Sequence, residues 1–378
     1  MEALKLVSAG ILVSWILFSV GAGELNSSAP CDFPAIFNFG DSNSDTGCMA
    51  AAFIPEGPPC GETFFHEPAG RASDGRLIID FIAKHLGLPY LSAYINSLGT
   101  TYRQGANFAA GGSTIRRQNE TFFDGGCPFT LEIQIAQFDQ FKARTGKFFT
   151  QGKKHSYTRH VPRPEEFAKA IYTFDIGQND VARMSNQDFV QVIPDIVEQF
   201  AKEVQHLYQQ GARTFWIHNT GPIGCLPITT HSVHNPEPGY ADQNGCVKEQ
   251  NDMAKEFNRQ LKNIVVKLRA KLNDAALTYV DIFSAKYELI SNAKEEGFVD
   301  PARICCGYHE DDNHVNCGNK GIVNGTEFFA GTCEDPSLHI SWDGVHYTEA
   351  ANHWIAKRVL SGSFSDPPIP ITHSCQRH

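Results

Sequence analysis

The chain has 378 residues, of which 42% are hydrophobic and 20% are charged, and these fractions are ordinary for a globular protein. A chain of this length buries a large core without disulfide or metal staples, and a single α/β domain can reach this size. The net charge of −10 argues against nucleic acid as a partner, because phosphate binding requires a basic face. We interpret the charge as a solvated acidic surface.

The N-terminal segment has the pattern of a secretory signal peptide. Lys5 precedes an apolar run over residues 6–20, and small residues follow at 21–23, so we expect residues 1–23 to be removed. A membrane anchor is the alternative, but the run is shorter than the roughly 18 apolar residues of a spanning helix. No later segment of the sequence is long and apolar enough to span, so stable membrane insertion is not expected.

All eleven cysteines lie after this segment. Export to an oxidising compartment favours disulfides, and the odd number leaves at least one cysteine free or bonded to another chain. A bound metal is not expected, because no Cys-x-x-Cys pair is present to suggest zinc. The sequons at Asn26, Asn119 and Asn324 fit passage through a glycosylating secretory route.

Beyond the signal segment, apolar runs alternate with amphipathic segments. Strands are predicted at 34–39, 170–174, 214–218 and 277–282, and helices at 75–85, 131–141, 189–209, 248–272 and 347–360. Ser73 or Asp74 is expected to cap the first helix and Thr348 the last, whereas Pro194 interrupts or restarts the third. The strands are apolar throughout, which indicates a parallel sheet covered on both faces. Without repeats or linkers, residues 24–378 are expected to form one three-layer α/β/α domain with a doubly wound, mostly parallel sheet.

Four segments carry residues suited to chemistry, and two of them directly follow predicted strands. In doubly wound sheets, ligands bind outside the carboxyl ends of the strands, so those ends are where a site is expected. The segments are Gly40-Asp41-Ser42, Asn107-Phe108-Ala109-Ala110-Gly111-Gly112-Ser113, Gly177-Gln178-Asn179-Asp180 and Ser341-Trp342-Asp343-Gly344-Val345-His346.

These four segments, in this order, resemble those of the GDSL or SGNH hydrolase family, specifically its secreted plant esterase/lipase branch. The resemblance covers about residues 31–360 and includes a loop typical of the plant branch at 221–225. Residues 63–66 and 73–76 are similar to the early-nodulin and latex-allergen esterases. The resemblance implies a flavodoxin-like SGNH hydrolase fold and, with the signal peptide, an extracellular place in the cell wall or apoplast.

The residue types fit a nucleophilic mechanism. A serine hydroxyl is a poor nucleophile until a base removes its proton, and His346 is the candidate base for Ser42. Asp343 lies three residues before His346, where one turn can bring the carboxylate to the imidazole and fix its tautomer. The chain order is then Ser, Asp, His, without the Gly-x-Ser-x-Gly elbow of other hydrolases.

The family resemblance also implies an oxyanion hole. Its donors would be the backbone N–H groups of Ser42 and Gly112 and the side-chain amide of Asn179. Glycine allows close approach of the backbone to a substrate, and Gly111 remains an alternative to Gly112. Asp41 is expected to organise the Ser42 turn or the oxyanion loop.

Taken singly, each segment is better explained as structure: a helix cap, a turn or a packed histidine. Ser44 and Asp45 are likewise interpreted as turn residues. Occurring together, the four segments favour function.

Cysteine connectivity stays open at this level. Cys225 and Cys246 flank a proline-rich loop that they can close, and Cys31 either pairs with Cys375 or remains in a flexible tail. A third group can staple the loop before the Asp-His segment: Cys305, Cys306, Cys317 and Cys333.

The sequence thus predicts a secreted serine ester hydrolase that forms an acyl-enzyme on Ser42 without a cofactor. The expected substrates are small-molecule or polysaccharide esters: short acyl groups, such as acetyl, on carbohydrates or specialised metabolites, or lipid esters. Three alternatives remain open: acyl transfer at the same site, glycan binding by a vestigial site, and glycoside hydrolysis, since some subgroup relatives carry fucosidase names. The last requires two facing carboxylates about 5–9.5 Å apart, and no convincing pair emerges. The oligomeric state is not predicted.

Overall fold

The computed structural model describes residues 29–117, 126–151, 155–183, 186–233, 237–310 and 313–377. The expected signal peptide, residues 1–23, and the sequons at Asn26 and Asn119 lie outside the described residues. Within the described ranges, no helix is long and apolar enough to cross a membrane.

Five buried strands form the parallel part of a six-stranded sheet. They are β1 (Ile36–Gly40), β2 (Gly105–Asn107), β3 (Ile171–Asp175), β4 (Thr214–His218) and β5 (Ala276–Val280). The spatial order is β2-β1-β3-β4-β5, and a short edge strand at Ser365–Asp366 pairs antiparallel with β5. This is the flavodoxin-like order, in which the chain reverses direction across the sheet between β1 and β3 and leaves a crevice at their carboxyl ends.

Helices form a layer on each side of this sheet. α6 packs against α3 and α8, whereas α10 packs against α2 and α9, which confirms the three-layer α/β/α architecture. The helices are α1 (Cys48–Ala52), α2 (Ile78–His85), α3 (Leu131–Thr150), α4 (His155–Thr158), α5 (Gln178–Ala182), α6 (Asn186–Gln209), α7 (Pro227–His231), α8 (Lys248–Lys271), α9 (Ile282–Ser291) and α10 (Glu349–Leu360).

The cap predicted for α2 was wrong, because both candidate residues bind elsewhere. The Asp74 carboxylate accepts the first backbone N–H of α10 at 2.7 Å, and the Ser73 hydroxyl donates to a carbonyl just before α10 at 3.0 Å. Helix α2 instead begins after Leu77, whose N–H donates to the Asp80 carboxylate at 2.9 Å. The two expected caps therefore join the start of α2 to the start of α10.

Other boundaries differ from expectation in smaller ways. α3 continues to residue 150 because Phe148 and Phe149 still pack against the core, and α6 runs through Pro194 as one helix. β5 ends at residue 280, since the Asp281 carboxylate caps α9 by accepting a backbone N–H. Thr348 caps α10 as predicted, accepting an N–H at 3.2 Å.

Two hairpins not predicted from the sequence stand between α9 and the Asp-His segment. They are β6 (Tyr308–Glu310) with β7 (Asn313–Val315), and β8 (Lys320–Val323) with β9 (Thr326–Phe329). Asn324 is exposed at the turn between β8 and β9, where its φ is +48°.

Four disulfides join the cysteine groups expected from the sequence. The pairs are Cys31–Cys375, Cys225–Cys246, Cys305–Cys333 and Cys306–Cys317. The first joins the two ends of the described chain across a separation of 344 residues, and the last two staple the hairpin region. Cys48, Cys60 and Cys127 are free thiols.

Candidate active site

Ser42 lies two residues beyond the end of β1, half-buried in a tight turn at the carboxyl edge of the sheet. The Ser44 N–H donates to the Asp41 carbonyl at 3.1 Å and closes this turn. A Cβ at Gly40 would overlap the Ser44 hydroxyl and lie 2.6 Å from the Asp175 carbonyl, so only glycine fits there. The turn is thus fixed by the close packing of β1 against β3.

A continuous hydrogen-bonded chain joins Ser42, His346 and Asp343. His346 Nε2 lies 2.7 Å from Ser42 Oγ, and His346 Nδ1 lies 2.6 Å from Asp343 Oδ2. The other oxygen, Asp343 Oδ1, accepts the backbone N–H groups of Val345 and His346 at 2.9 and 2.7 Å. Gly344, at φ +93°, allows the tight turn that folds the carboxylate back onto the imidazole. At these distances the imidazole can take the serine proton while the carboxylate fixes its orientation.

The electrostatics of the Ser42–His346–Asp343 hydrogen bonds favour a charged carboxylate beside the imidazole. Burial alone would raise the pKa of Asp343, but the facing His346 and two backbone N–H donors hold that pKa below its usual value. Burial likewise disfavours the charged form of His346, yet the Asp343 charge and hydrogen bond outweigh it and raise the pKa of His346. The neutral imidazole therefore carries its proton on Nδ1, toward Asp343, and presents Nε2 as an acceptor to Ser42.

The two adjacent glycines of the second segment differ in what their N–H groups do. The Gly111 N–H donates to Asp45 Oδ2 at 2.9 Å and is therefore occupied. Gly112 has φ +75°, and its N–H has no acceptor among the described residues. Of the two, Gly112 is the one able to donate to a ligand.

Asn179 and its neighbour bind the second segment from α5. The Asn179 amide donates to the Ser113 carbonyl at 2.9 Å, which leaves its second N–H for another acceptor. The Asp180 carboxylate accepts the N–H groups of Ile115 and Arg116 at 2.8 and 3.1 Å. Burial raises the pKa of Asp180 to about 7.

Asp45 does more than the turn role expected of it. One carboxylate oxygen accepts the N–H groups of Gly47 and Cys48 at 2.8 and 2.6 Å, at the start of α1. The other accepts Met49 N–H at 3.1 Å as well as the Gly111 N–H. A single buried carboxylate thus ties the loop after Ser42 to the glycine loop.

The expected site residues line one cavity of about 600 Å³ at the sheet edge. This size is in the range of small-molecule sites. Its lining includes Ser42, Gly112, Asn179, Asp343 and His346, so the four segments named from the sequence converge in space. In the structure, three of the four segments directly follow strands, one more than the sequence predicted. The additional one is the second segment, which follows β2; this strand was too short to be recognised from its sequence pattern.

Three residues of this region were missed by sequence reasoning. The buried Gln134 amide bonds to both the N–H and the carbonyl of Gly40, at 2.9 and 2.8 Å. Lys286 is buried in α9 with its Nζ 3.4 Å from Asn43 Oδ1, and Glu56 lies in the cavity wall. A lysine among apolar helix residues offers a sequence signal for a buried cation, whereas nothing marks Gln134 or Glu56.

A doubly wound sheet with a Ser–His–Asp chain at its carboxyl edge is an arrangement found in serine hydrolases. The model of the GDSL-like Lipase/Acylhydrolase family matches residues 36–359. A GDSL esterase/lipase of Arabidopsis thaliana is 57% identical over 100% of this chain and 99% of its own length. GDSL esterase/lipase ENOD8 of Medicago truncatula is 46% identical over 92% of this chain and 91% of its own. A protein named alpha-L-fucosidase 3, from Arabidopsis thaliana, is 46% identical over 88% and 91%.

The chain therefore belongs to the GDSL-like lipase/acylhydrolase family, as its four segments predicted. Relatives from Arabidopsis thaliana, Zea mays and Hevea brasiliensis are named esterases or esterase/lipases, and the chain is a carboxylic ester hydrolase.

Proposed function

We propose that this chain is a secreted esterase that hydrolyses its substrate through an acyl-enzyme on Ser42. The observation that carries the proposal is the Ser42–His346–Asp343 chain, with contacts of 2.7 and 2.6 Å, inside the cavity. In the first step, His346 takes the hydroxyl proton while Ser42 Oγ attacks the ester carbonyl, and His346 then gives that proton to the leaving alcohol. Water attacks the acyl-enzyme in the second step, with His346 again acting as base and then acid.

The oxyanion formed in each step would be bound by the backbone N–H groups of Ser42 and Gly112 and the amide of Asn179. Two observations support this set. The Gly111 N–H is occupied by Asp45, which leaves Gly112 as the available donor, and the Asp180 carboxylate fixes the backbone that follows by accepting the N–H groups of Ile115 and Arg116. Donors held in place before reaction stabilise developing charge most effectively.

For the substrate, we propose short acyl esters of carbohydrates or other small hydroxylated metabolites. A cavity of about 600 Å³ accommodates a small acyl group together with part of an alcohol. Its lining mixes apolar residues such as Met49 and Ile228 with polar ones such as Asn316 and Asn319.

The remaining proposals concern processing and domain organisation. We propose that residues 1–23 are a signal peptide, that residues 24–378 form one domain, and that Asn26, Asn119 and Asn324 carry glycans. The four disulfides are compatible with folding in an oxidising compartment.

Fluorophosphonate labelling of the purified protein tests the nucleophile. The wild type and the exposed-serine control Ser361→Ala should be labelled, whereas Ser42→Ala should be neither labelled nor active on short-chain chromogenic esters. Labelling that survives in Ser42→Ala would refute the assignment. Assays with an acyl donor and added alcohols separate hydrolysis from acyl transfer, and fucose release unaffected by Ser42→Ala would favour the glycosidase alternative.

A further inference from the structure

Glu56 is an acidic residue in the cavity wall that the proposed reaction does not use. It lines the same cavity as Ser42 and His346, and its Oε2 atom is buried without a hydrogen-bond partner among the described residues. Burying a carboxylate oxygen without a donor costs free energy, so such oxygens are uncommon in folded proteins. Its place in the cavity suggests that a ligand supplies the missing donor.

The charges around Glu56 do not supply a partner. Burial raises the pKa of Glu56 to about 7; the positive charges of His346 and Arg71 oppose this, and the negative charges of Asp45 and Asp343 add to it. Arg71 is already engaged, because its guanidinium donates twice to Asp80 at 2.8 and 2.7 Å. The carboxyl group can therefore hold a proton more readily than an exposed glutamate, and in either protonation state it can accept a hydrogen bond from a neutral hydroxyl.

The wall around Glu56 is polar and held in shape. Gly318 has φ +75°, and a Cβ there would overlap the Pro58 carbonyl, so the loop carrying Glu56 and the loop before β8 are in backbone contact. The second loop contributes Asn316 and Asn319 to the cavity and is anchored by the Cys306–Cys317 disulfide. We call Glu56, Asn316 and Asn319 the polar wall.

The polar wall lines the same cavity as His346, at which the alcohol half of the ester is expected. His346 must pass its proton to the leaving oxygen, so the alcohol begins beside His346 Nε2. Glu56 lines the cavity together with His346, and His346 has the largest effect among the charged groups that act on the Glu56 carboxyl.

We propose that Glu56 accepts a hydrogen bond from a free hydroxyl on the alcohol half of the ester, so that the enzyme selects partly acylated polyols. The selected substrate keeps a hydroxyl beside the acylated oxygen, as a partly acetylated sugar does. This inference rests on the proposed function, because the reaction defines which half of the ester meets Glu56.

Two acetate esters that differ at one position test the inference. In 2-hydroxyethyl acetate a hydroxyl stands where propyl acetate has a methyl group. Wild type should prefer the hydroxyl ester in kcat/KM by about tenfold or more, since sites built to bind a hydroxyl reject analogues that lack it. Glu56→Leu should bring the ratio of the two kcat/KM values near one, with the larger loss in the hydroxyl ester. Glu56→Gln, which keeps a carbonyl acceptor, should retain part of the preference.

The exposed Glu62, in the same loop region, provides the matched control, and Glu62→Leu should leave the ratio as in wild type. A ratio unchanged in Glu56→Leu, or an equal loss with both esters, would overturn the inference. So would a stronger preference for 2-aminoethyl acetate that disappears in Glu56→Gln, since this would mean that the carboxylate binds a cation. Ser42→Ala separates the two proposals: activity surviving there contradicts the nucleophile, whatever the Glu56 ratio.

Discussion

Replacing Lys286 by methionine should destabilise the protein strongly, although this residue touches no substrate in the proposed mechanism. Its side chain is 3% exposed, and its Nζ lies 3.4 Å from Asn43 Oδ1 and 4.4 Å from the centre of the Tyr347 ring. Burial lowers the pKa of Lys286, whereas the nearby charges of Asp175 and Asp41 counteract that effect and favour the ammonium form. The ammonium group is therefore a buried positive charge near two buried carboxyl groups, of which Asp175 also faces His218 Nδ1 at 3.4 Å.

The magnitude follows from what methionine leaves behind. Methionine keeps most of the apolar stem, so little packing is lost. Asp41 and Asp175 both lose the Lys286 charge, whereas Asp175 keeps its contact with His218 at 3.4 Å. Removing one partner from a buried charge pair costs about 3–5 kcal/mol, a large share of the roughly 5–15 kcal/mol that stabilises a typical domain.

The penalty should also depend on pH. Burial and the Asp175 charge raise the pKa of Asp41 from 3.8 to about 7, so the folded state holds a proton that the unfolded state releases. The contribution of Asp41 is therefore full below about pH 4 and is lost as the pH rises toward 7. Without Lys286 this pKa rises further, so Lys286→Met should lose more stability at pH 8 than at pH 5.5.

Urea unfolding with the disulfides intact, followed by fluorescence at both pH values, measures these differences. Lys255 is the matched control, since its side chain is 57% exposed, pairs with exposed Asp252 at 3.3 Å and lies 5.9 Å from the centre of the Phe283 ring. Lys255→Met should cost at most about 1 kcal/mol. The reasoning fails if Lys286→Met costs no more than this control, or if its cost is the same at the two pH values.

Three further predictions concern the site and the disulfides. The pKa of His346 is raised and only the neutral imidazole acts as base, so kcat/KM should fall at acid pH with a midpoint above pH 6.5. A midpoint below pH 6.5 would contradict the effect of Asp343 on this pKa. Asn179→Ala should lower kcat about 10²–10³-fold with little change in thermal stability, and a change confined to KM would speak against oxyanion binding. The double variant Cys31→Ser, Cys375→Ser should lose about 2–5 kcal/mol of unfolding free energy yet retain activity per folded molecule, as urea unfolding and ester assays can check.

Sequence patterns were sufficient to predict an element and its bounds where local residue preference and burial agree. The strand at 214–218 was predicted with its observed bounds, since four of its five residues are apolar or β-favouring and polar turns flank it. The helix at 248–271 was predicted within one residue, because its apolar stripe and long polar face repeat at the helical period. Ser42, Asp343 and His346 were proposed because their segments combine in an order that chance rarely gives, and the structure brings the three side chains into contact.

The elements and caps that the sequence patterns did not predict share a different physical cause, because they depend on tertiary partners. β2 has only three residues and is a strand because it pairs with β1, and α9 begins where Asp281 caps it rather than at a change in hydrophobic period. Ser73 and Asp74 have the composition of helix caps, yet they bind the start of α10, more than 270 residues away. No local pattern reports a partner at that distance.

The acidic residues within the four segments named from the sequence illustrate how such distant contacts shape the proposed site. Asp45 binds the Gly111 N–H and Asp180 binds the N–H groups of Ile115 and Arg116, so the glycine loop is held from both sides by carboxylates of other segments. The Asp45 bond also occupies the N–H of Gly111, the neighbour of the proposed oxyanion donor Gly112. Replacing either carboxylate would free several backbone donors at once and loosen the loop, so its effect on kcat should exceed what a residue without substrate contact suggests. Rate loss in the isosteric Asp45→Asn variant, compared with its stability loss, would separate this positioning role from a purely structural one.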